Sequence, residues 1–286
     1  MYESYYNLQY KPFQLSPDPR FFFSSKGHGK AMAYLVYGVN QGEGFIVITG
    51  EIGAGKTMLA SALARNVASG IIVLAHVVST SLDADDVVRT VAAAFGLPQE
   101  DHKAILLKRL EQYLLACHKQ GQRALLLVDE AQNLPVKSLE ELRMLSNFTY
   151  ADKPLLQTFL LGQPEFRETL QSHKLDQLRQ RVIASCHLGP LDAAETEAYI
   201  THRLHTAGWS GDPSFSGDAF AAIHKHTGGI PRKINMLCDR LMLMGKLEQK
   251  HAFTGKDVAD VIKELRREFA FADPQLGSEG PVDAKI

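Results

Sequence analysis

Lys56 and Thr57 come directly after three glycines, at 50, 53 and 55, in the stretch FIVITGEIGAGKT from Phe45 to Thr57. Residues of these types at this spacing are suited to holding a triphosphate. Several backbone N–H groups must turn inward on one anionic group, and glycine keeps side chains out of their way. Lys56 is placed to reach the β- and γ-phosphates, and Thr57 to set its hydroxyl on Mg²⁺. The N-terminus of the helix that follows adds its partial positive charge. Gly50, Glu51, Ile52, Gly53, Ala54, Gly55, Lys56, Thr57 and Met58 therefore read as a nucleotide-binding segment, with Thr57 also a metal ligand.

Further residues complete a hydrolytic reading. In ALLLVDEAQNL, residues 124–134, four apolar residues lead into Asp129 and Glu130, so both carboxylates fall where a buried strand ends. Alone, such a pair could cap a helix. Behind a phosphate loop, Asp129 is expected to hold the Mg²⁺ shell through water, and Glu130 to orient or deprotonate the attacking water. Gln163, at the end of LLQTFLLGQPEF, is aimed at the same edge, either sensing the γ-phosphate or lytic water or bonding local backbone. Arg179 and Arg181, in LRQRV, are the candidates for a guanidinium offered to a neighbouring subunit's γ-phosphate, and the sequence does not choose between them. Arg232, beside the helix-starting Pro231 in GGIPRKIN, could reach back to the nucleotide.

These residues must be carried by a parallel sheet and helices. Phe45–Ile48 reads as the first strand, IIVLAHVV (71–78) as one buried on both faces, and the apolar runs at 124–128, 155–162 and 182–188 as three more. Helices are expected from His28 to about Gln41, after the phosphate loop, from Asp83 through Phe95, over 101–120 and from Val136 to Asn147. From Asp192 onward the pattern is helical only, over 193–207, 216–227, 231–248 and 254–269. The expected organisation is an aromatic strap and lead-in helix belonging to the core (1–44), an α/β core (45–190), a helical lid (191–270) and a flexible tail (271–286).

Composition narrows the function. With 31 basic against 32 acidic residues and a pI near 6.8, no broad polyanion-binding surface is indicated. Cys117, Cys186 and Cys238 are scattered, odd in number and outside any CxxC pair, which argues against a disulfide framework or a cysteine zinc site. The opening MYESYYNLQYKPF lacks the regions of a signal peptide, and no apolar run approaches a membrane span. The expectation is a cytoplasmic protein, with any contact to the inner membrane made through a partner or a peripheral surface.

GEIGAGKT, LLLVDEAQNL, LLGQPEF, LRQRV and GGIPRKIN, in this order, resemble an AAA+ ATPase of the general secretion pathway protein A type. The aromatic opening YYNLQYKPFQLSPDPRFFF and the segment GHGKAMAYLVYGVNQGEGFIVITGE are especially similar to the secretion ATPases found at bacterial PEP-CTERM/exosortase exopolysaccharide loci. The resemblance covers about residues 1–270. It implies a five-stranded parallel P-loop sheet flanked by helices, plus an all-helical lid, with ATP and Mg²⁺ bound. Lys56 and Thr57 are then Walker A, Asp129 and Glu130 Walker B, Gln163 sensor 1, Arg232 sensor 2, and Arg179 or Arg181 the arginine finger, acting in trans within a homo-oligomer. It further implies a protein partner in an envelope export or polysaccharide assembly complex. The alternative is a DNA-binding ATPase switch of the transposition-accessory or replication-initiator kind, supported by Arg232, Lys233, Arg240, Lys246 and Lys250. Two departures stand out. Sensor 1 is often Asn where this chain has Gln163. The chain also stops where secretion-pathway relatives continue into a membrane span and a peptidoglycan-binding region, so cell-wall binding is not expected.

Overall fold

A computed structural model describes residues 2–66, 72–78, 82–99 and 102–272. The chain forms two compact units. One runs from Asp18 to Pro190, and the other joins the opening residues through Pro17 to the chain from Leu191 onward.

In the first unit, α1 (Lys26–Gln41), β1 (Phe45–Gly50), α2 (Lys56–Asn66), β2 (Ile72–Val78), α3 (Ala84–Ala94), α4 (Lys103–Lys119) and β3 (Arg123–Asp129) follow in turn. They are succeeded by α5 (Val136–Leu145), β4 (Leu156–Gly162), α6 (Phe166–Gln171), α7 (Asp176–Arg179) and β5 (Val182–Leu188). The five strands make one parallel sheet in the order β2-β3-β4-β1-β5. The expected α/β architecture is thus present. Because side chains alternate along a strand, β1 packs both faces: Phe45 and Val47 meet Leu126, Val128 and Leu160, while Ile46 and Ile48 meet Leu125, Leu127, Phe159 and Leu161. Ala31, Leu35 and Val39 of α1 cover the second face, as their spacing predicts.

The strand β2 departs from expectation. It lies at the sheet edge, and only Ala75 and Val77 are buried, whereas Leu74 is 41% and Val78 55% exposed. An apolar run reads as doubly buried only where a layer lies on both sides, and an edge strand meets this on one face. A two-residue hairpin, Thr149–Tyr150 with Lys153–Pro154, was not anticipated.

The second unit carries α8 (Ala193–Thr206), α9 (Gly217–Thr227), α10 (Pro231–Leu247) and α11 (Gly255–Ala272). It is not purely helical, since Ser214–Phe215 pairs in parallel with Ala252–Phe253. The strap also differs from expectation. Its first residues pack among these helices rather than on the α/β core, for identifiable reasons. Tyr2 donates to Asp239 at 2.6 Å, Lys11 pairs with the same carboxylate at 3.0 Å, Tyr6 donates to the Lys250 carbonyl at 2.9 Å, and the Gln9 N–H donates to the Ala207 carbonyl at 2.7 Å. The buried Arg203 donates to the Pro12 carbonyl, and Tyr6 and Phe13 are almost wholly buried. The expected tail beyond Ala272 lies outside the described residues. Among the described residues, no helix is long and apolar enough to cross a membrane.

Gly245 of α10 is where strap and helix meet most closely: a Cβ there would run into the Tyr6 hydroxyl and the Phe253 ring. Alanine normally favours a helix by ~1 kcal/mol over glycine. Here Tyr6 is anchored and Phe253 is fully buried, so the overpacking cost of ~1–3 kcal/mol wins. Gly245→Ala is expected to lower the melting temperature of the purified protein, measured by thermal unfolding.

Candidate nucleotide site

The parallel sheet puts the C-terminal ends of β1, β3 and β4 along one rim. The loop after β1 turns at Glu51, whose carbonyl accepts from the Ala54 N–H at 3.1 Å, and runs through Gly53 (φ 83°) and Gly55 (φ 96°) into α2. Gly55 has a second reason to be glycine besides its left-handed backbone, because a Cβ there would lie 3.0 Å from His28 Nε2. At Gly50, a Cβ would come to 2.7 Å from the Leu188 carbonyl of β5. Both glycines let neighbouring groups close on the loop from outside.

Lys56, the first residue of α2, is buried, and its ammonium donates to the carbonyls of Gly50 at 2.8 Å and Glu51 at 3.1 Å. An ammonium has three donors, and the third has no partner among the described residues. Burial pulls the Lys56 pKa down, and the nearby carboxylates of Glu130, Asp129, Glu51 and Glu165 counter this only in part. A desolvated cation with a spare donor at a helix N-terminus fits an anionic group such as a phosphate. Thr57 donates to Asp129 Oδ2 at 2.6 Å, and Asp129 Oδ1 accepts the Glu130 N–H at 2.9 Å. A hydroxyl and a carboxylate in contact form an oxygen donor set that suits a hard cation, so these two residues would hold Mg²⁺.

Glu130 follows in the left-handed region (φ 54°, ψ 41°), a conformation uncommon for a residue with a side chain. Its carboxylate Oε2 accepts from Gln132 Nε2 at 2.6 Å and from Gln163 Nε2 at 3.3 Å. Burial would raise the Glu130 pKa, but the two amide donors and the Lys56 charge outweigh it and hold the carboxyl below its ordinary range. Glu130 is therefore a carboxylate at neutral pH.

The structure thus brings Lys56, Thr57, Asp129, Glu130 and Gln163 together. It does not bring Arg179 or Arg181 to them. Arg181 precedes β5, and its carbonyl accepts from the N–H of Phe45, the first residue of β1. This is the opposite end of the strands from the phosphate loop, about 17 Å away along β1. Both guanidinium groups are engaged within the chain: Arg179 with Asp176 at 2.7 Å and the carbonyls of Leu170 and Gln171, and Arg181 with Ser146 Oγ and Asn147 Oδ1, each at 2.6 Å. Arg232 lies in the other unit, exposed at the start of α10 behind Pro231.

Three contributors were missed. Gln132 bridges Glu130 to the backbone of Gln163; the DEAQ spelling contained it, but nothing in a periodicity pattern assigns a role to a polar residue on a turn. His28 packs against Gly55 and is fixed by Ser25, whose Oγ lies 2.7 Å from His28 Nδ1 and accepts the His28 N–H. His76, at the exposed side of β2, places Nε2 3.9 Å from Asp129 Oδ2.

With this geometry in hand, comparison with known proteins is decisive for the fold. Residues 39–170 match the AAA domain family. The core has the AAA+ P-loop fold. Among solved structures, the chain is similar to the Aeropyrum pernix ORC2 protein in its ADPNP-ADP complexes, with a TM-score of 0.69 and 17% identity over 89% of this chain and 71% of that one. It is also similar to Drosophila ORC bound to DNA, with a TM-score of 0.67 and 16% identity over 89% of this chain and 64% of that one. A third is the Thermotoga maritima RuvB Holliday junction branch migration motor, with a TM-score of 0.57 and 17% identity over 92% of this chain and 79% of that one. At such identities the likeness concerns the fold alone. In sequence, the chain is 36% identical over 261 residues to the general secretion pathway protein A of Aeromonas hydrophila, covering 91% of this chain and 47% of that protein. The chain thus spans about half the length of that relative.

Because Lys56 is a cation held at a desolvation cost, its removal should separate binding from folding. Lys56→Met is expected to leave the melting temperature of the nucleotide-free protein within ~2 °C of the parent, while ATP binding, read by calorimetry, is lost.

Proposed function

We propose that this AAA+ ATPase relative is a Mg²⁺-dependent enzyme that binds ATP and hydrolyses it to ADP and phosphate. The observation that supports this reading is the convergence of a buried lysine, a hydroxyl–carboxylate pair and a second, separately held carboxylate on one rim of the sheet. Residues Gly50 to Met58 hold the phosphates. Thr57 and Asp129 hold Mg²⁺, which when bound supplies charge neutralisation to the phosphate oxygens. Glu130 orients the attacking water and takes its proton, and Gln163 lies against Glu130 where a change at the γ-phosphate can be felt. Arg232 acts as a second sensor from the helical unit. Arg179 or Arg181 completes the site of an adjacent copy, because the length of β1 keeps both from their own chain's phosphate loop. The enzyme so formed is a homo-oligomer.

The biological role we propose is regulation or energising of a bacterial envelope export system of the exopolysaccharide, PEP-CTERM/exosortase-associated kind, at the cytoplasmic side of the inner membrane through a protein partner. The similarity to a general secretion pathway protein supports the export direction. The DNA-switch reading is weakened by the pairing of its cations. Of the five basic residues that suggested it, Arg240 is paired with Glu268 at 2.6 Å, and Lys250 with Glu248 at 2.8 Å and Asp257 at 2.6 Å. Duplex DNA is therefore expected to leave ATPase turnover unchanged, and salt-sensitive stimulation would reverse that ranking.

The direct test is Glu130→Gln, which preserves shape and removes the base. ATP affinity is expected to persist while turnover falls by about 10²–10⁴-fold. Turnover at the parental rate would show that Glu130 does not activate water.

A further inference from the structure

The Gln132 side chain touches both Glu130, just past the Walker B strand, and the neighbouring strand end. Its Oε1 accepts the backbone N–H of Gln163 at 3.0 Å, and its Nε2 donates to Glu130 Oε2 at 2.6 Å. The amide orientation follows from chemistry: a backbone N–H can only donate, so the oxygen must face Gln163, which leaves the nitrogen for the carboxylate. The Gln163 side-chain amide donates to the same Glu130 oxygen at 3.3 Å. One carboxylate oxygen is thus anchored twice. The other, Oε1, takes no hydrogen bond among the described residues.

We infer that Gln132 is a positioning residue for ATP hydrolysis, which ties Glu130 to the backbone of the sensor strand so that one oxygen is fixed and the other is left to accept a proton from water. The inference rests on Glu130 being the base of the proposed reaction. It adds how that base is aimed. A glutamate at the end of a strand, in a left-handed backbone, has several side-chain rotamers open to it, and a bridge of one amide restricts them. The bridge is short and half-buried, which strengthens it relative to one in water. The bridge also gives Gln163 two routes to Glu130, one through its own amide and one through its backbone N–H and Gln132. Any displacement of the strand end at Gln163 is therefore passed to the base.

Gln132→Met, which keeps length and loses both hydrogen bonds, tests this. The expected result is a kcat for ATP hydrolysis lower by about 10- to 100-fold, with KM for ATP changed less than about twofold. Gln132→Glu keeps an acceptor for the Gln163 N–H but sets a like charge beside Glu130, so kcat should fall at least as far, again with KM little changed. A readout that needs no turnover is a crystal structure of the nucleotide-free Gln132→Met protein, in which the Glu130 carboxylate should leave the orientation it holds in the parent. A Gln132→Met protein with the parental kcat and an unmoved Glu130 side chain would overturn the inference while leaving Glu130 as the base. Parental turnover in Glu130→Gln would instead remove the reading on which it depends.

Discussion

The hydrogen bond from Thr57 to Asp129 is the contact on which the site depends. It joins the first turn of α2, which carries the phosphate loop, to the end of β3, which carries both acidic residues, and at 2.6 Å it fixes the spacing between the group that would bind the metal and the groups that would bind phosphate. Lys56 and Glu130 take their positions from these two partners. Lys56 precedes Thr57 and is pinned to carbonyls of the loop. Glu130 follows Asp129, and its N–H is held by the same carboxylate. The contact is possible only because β1 and β3 run in the same direction with one strand, β4, between them, so that their ends arrive at one level.

What was legible in the sequence tracks the locality of the cause. The phosphate loop was readable because its chemistry is written in consecutive residues. The central strands β1, β3 and β4 were readable because a strand buried on both faces must be a short apolar run between breakers. Where the deciding partner is remote, the pattern fell short. IIVLAHVV has the spelling of a central strand, yet it is β2 at the sheet edge, and position in a sheet is not a property of the run itself. The aromatic strap shows the same limit. Tyr2, Tyr6 and Pro12 announce packing without saying against what, and their partners Asp239, Lys250 and Arg203 lie 237, 244 and 191 residues away in the chain. Because the strap belongs with the helices, the chain passes between the two units twice, at Pro17–Asp18 and at Pro190–Leu191.

The arginines illustrate a different limit. Arg179 and Arg181 were singled out for the charge they could lend to a phosphate, and spacing offered no basis for choosing. Their present contacts distinguish them. Arg179 is tied to Asp176, a charged partner on its own short helix, and to two carbonyls, whereas Arg181 spans to the end of α5 and bonds only neutral oxygens on Ser146 and Asn147. A guanidinium leaving neutral partners gives up less electrostatic energy than one leaving a carboxylate. By that criterion Arg181 is the stronger candidate of the two for the role proposed for them.

Gln163 completes the account of the rim. The family resemblance implies asparagine at this position in many sites, and the extra methylene of glutamine has a visible consequence here. Gln163 Nε2 reaches Glu130 Oε2 at 3.3 Å, already near the limit of a hydrogen bond, so a side chain one methylene shorter from the same backbone would not touch it. The second long amide, Gln132, does not depend on that reach, because it takes its fixed point from the Gln163 backbone rather than from the side chain. Glu130 is consequently held by two amides of unequal strength, a short bond from Gln132 and a long one from Gln163. The weaker one belongs to the residue proposed as the sensor. A sensor must exchange its partner when the phosphate changes, and a long, easily broken bond allows that exchange, while the short bond from Gln132 keeps the carboxylate from turning away during it.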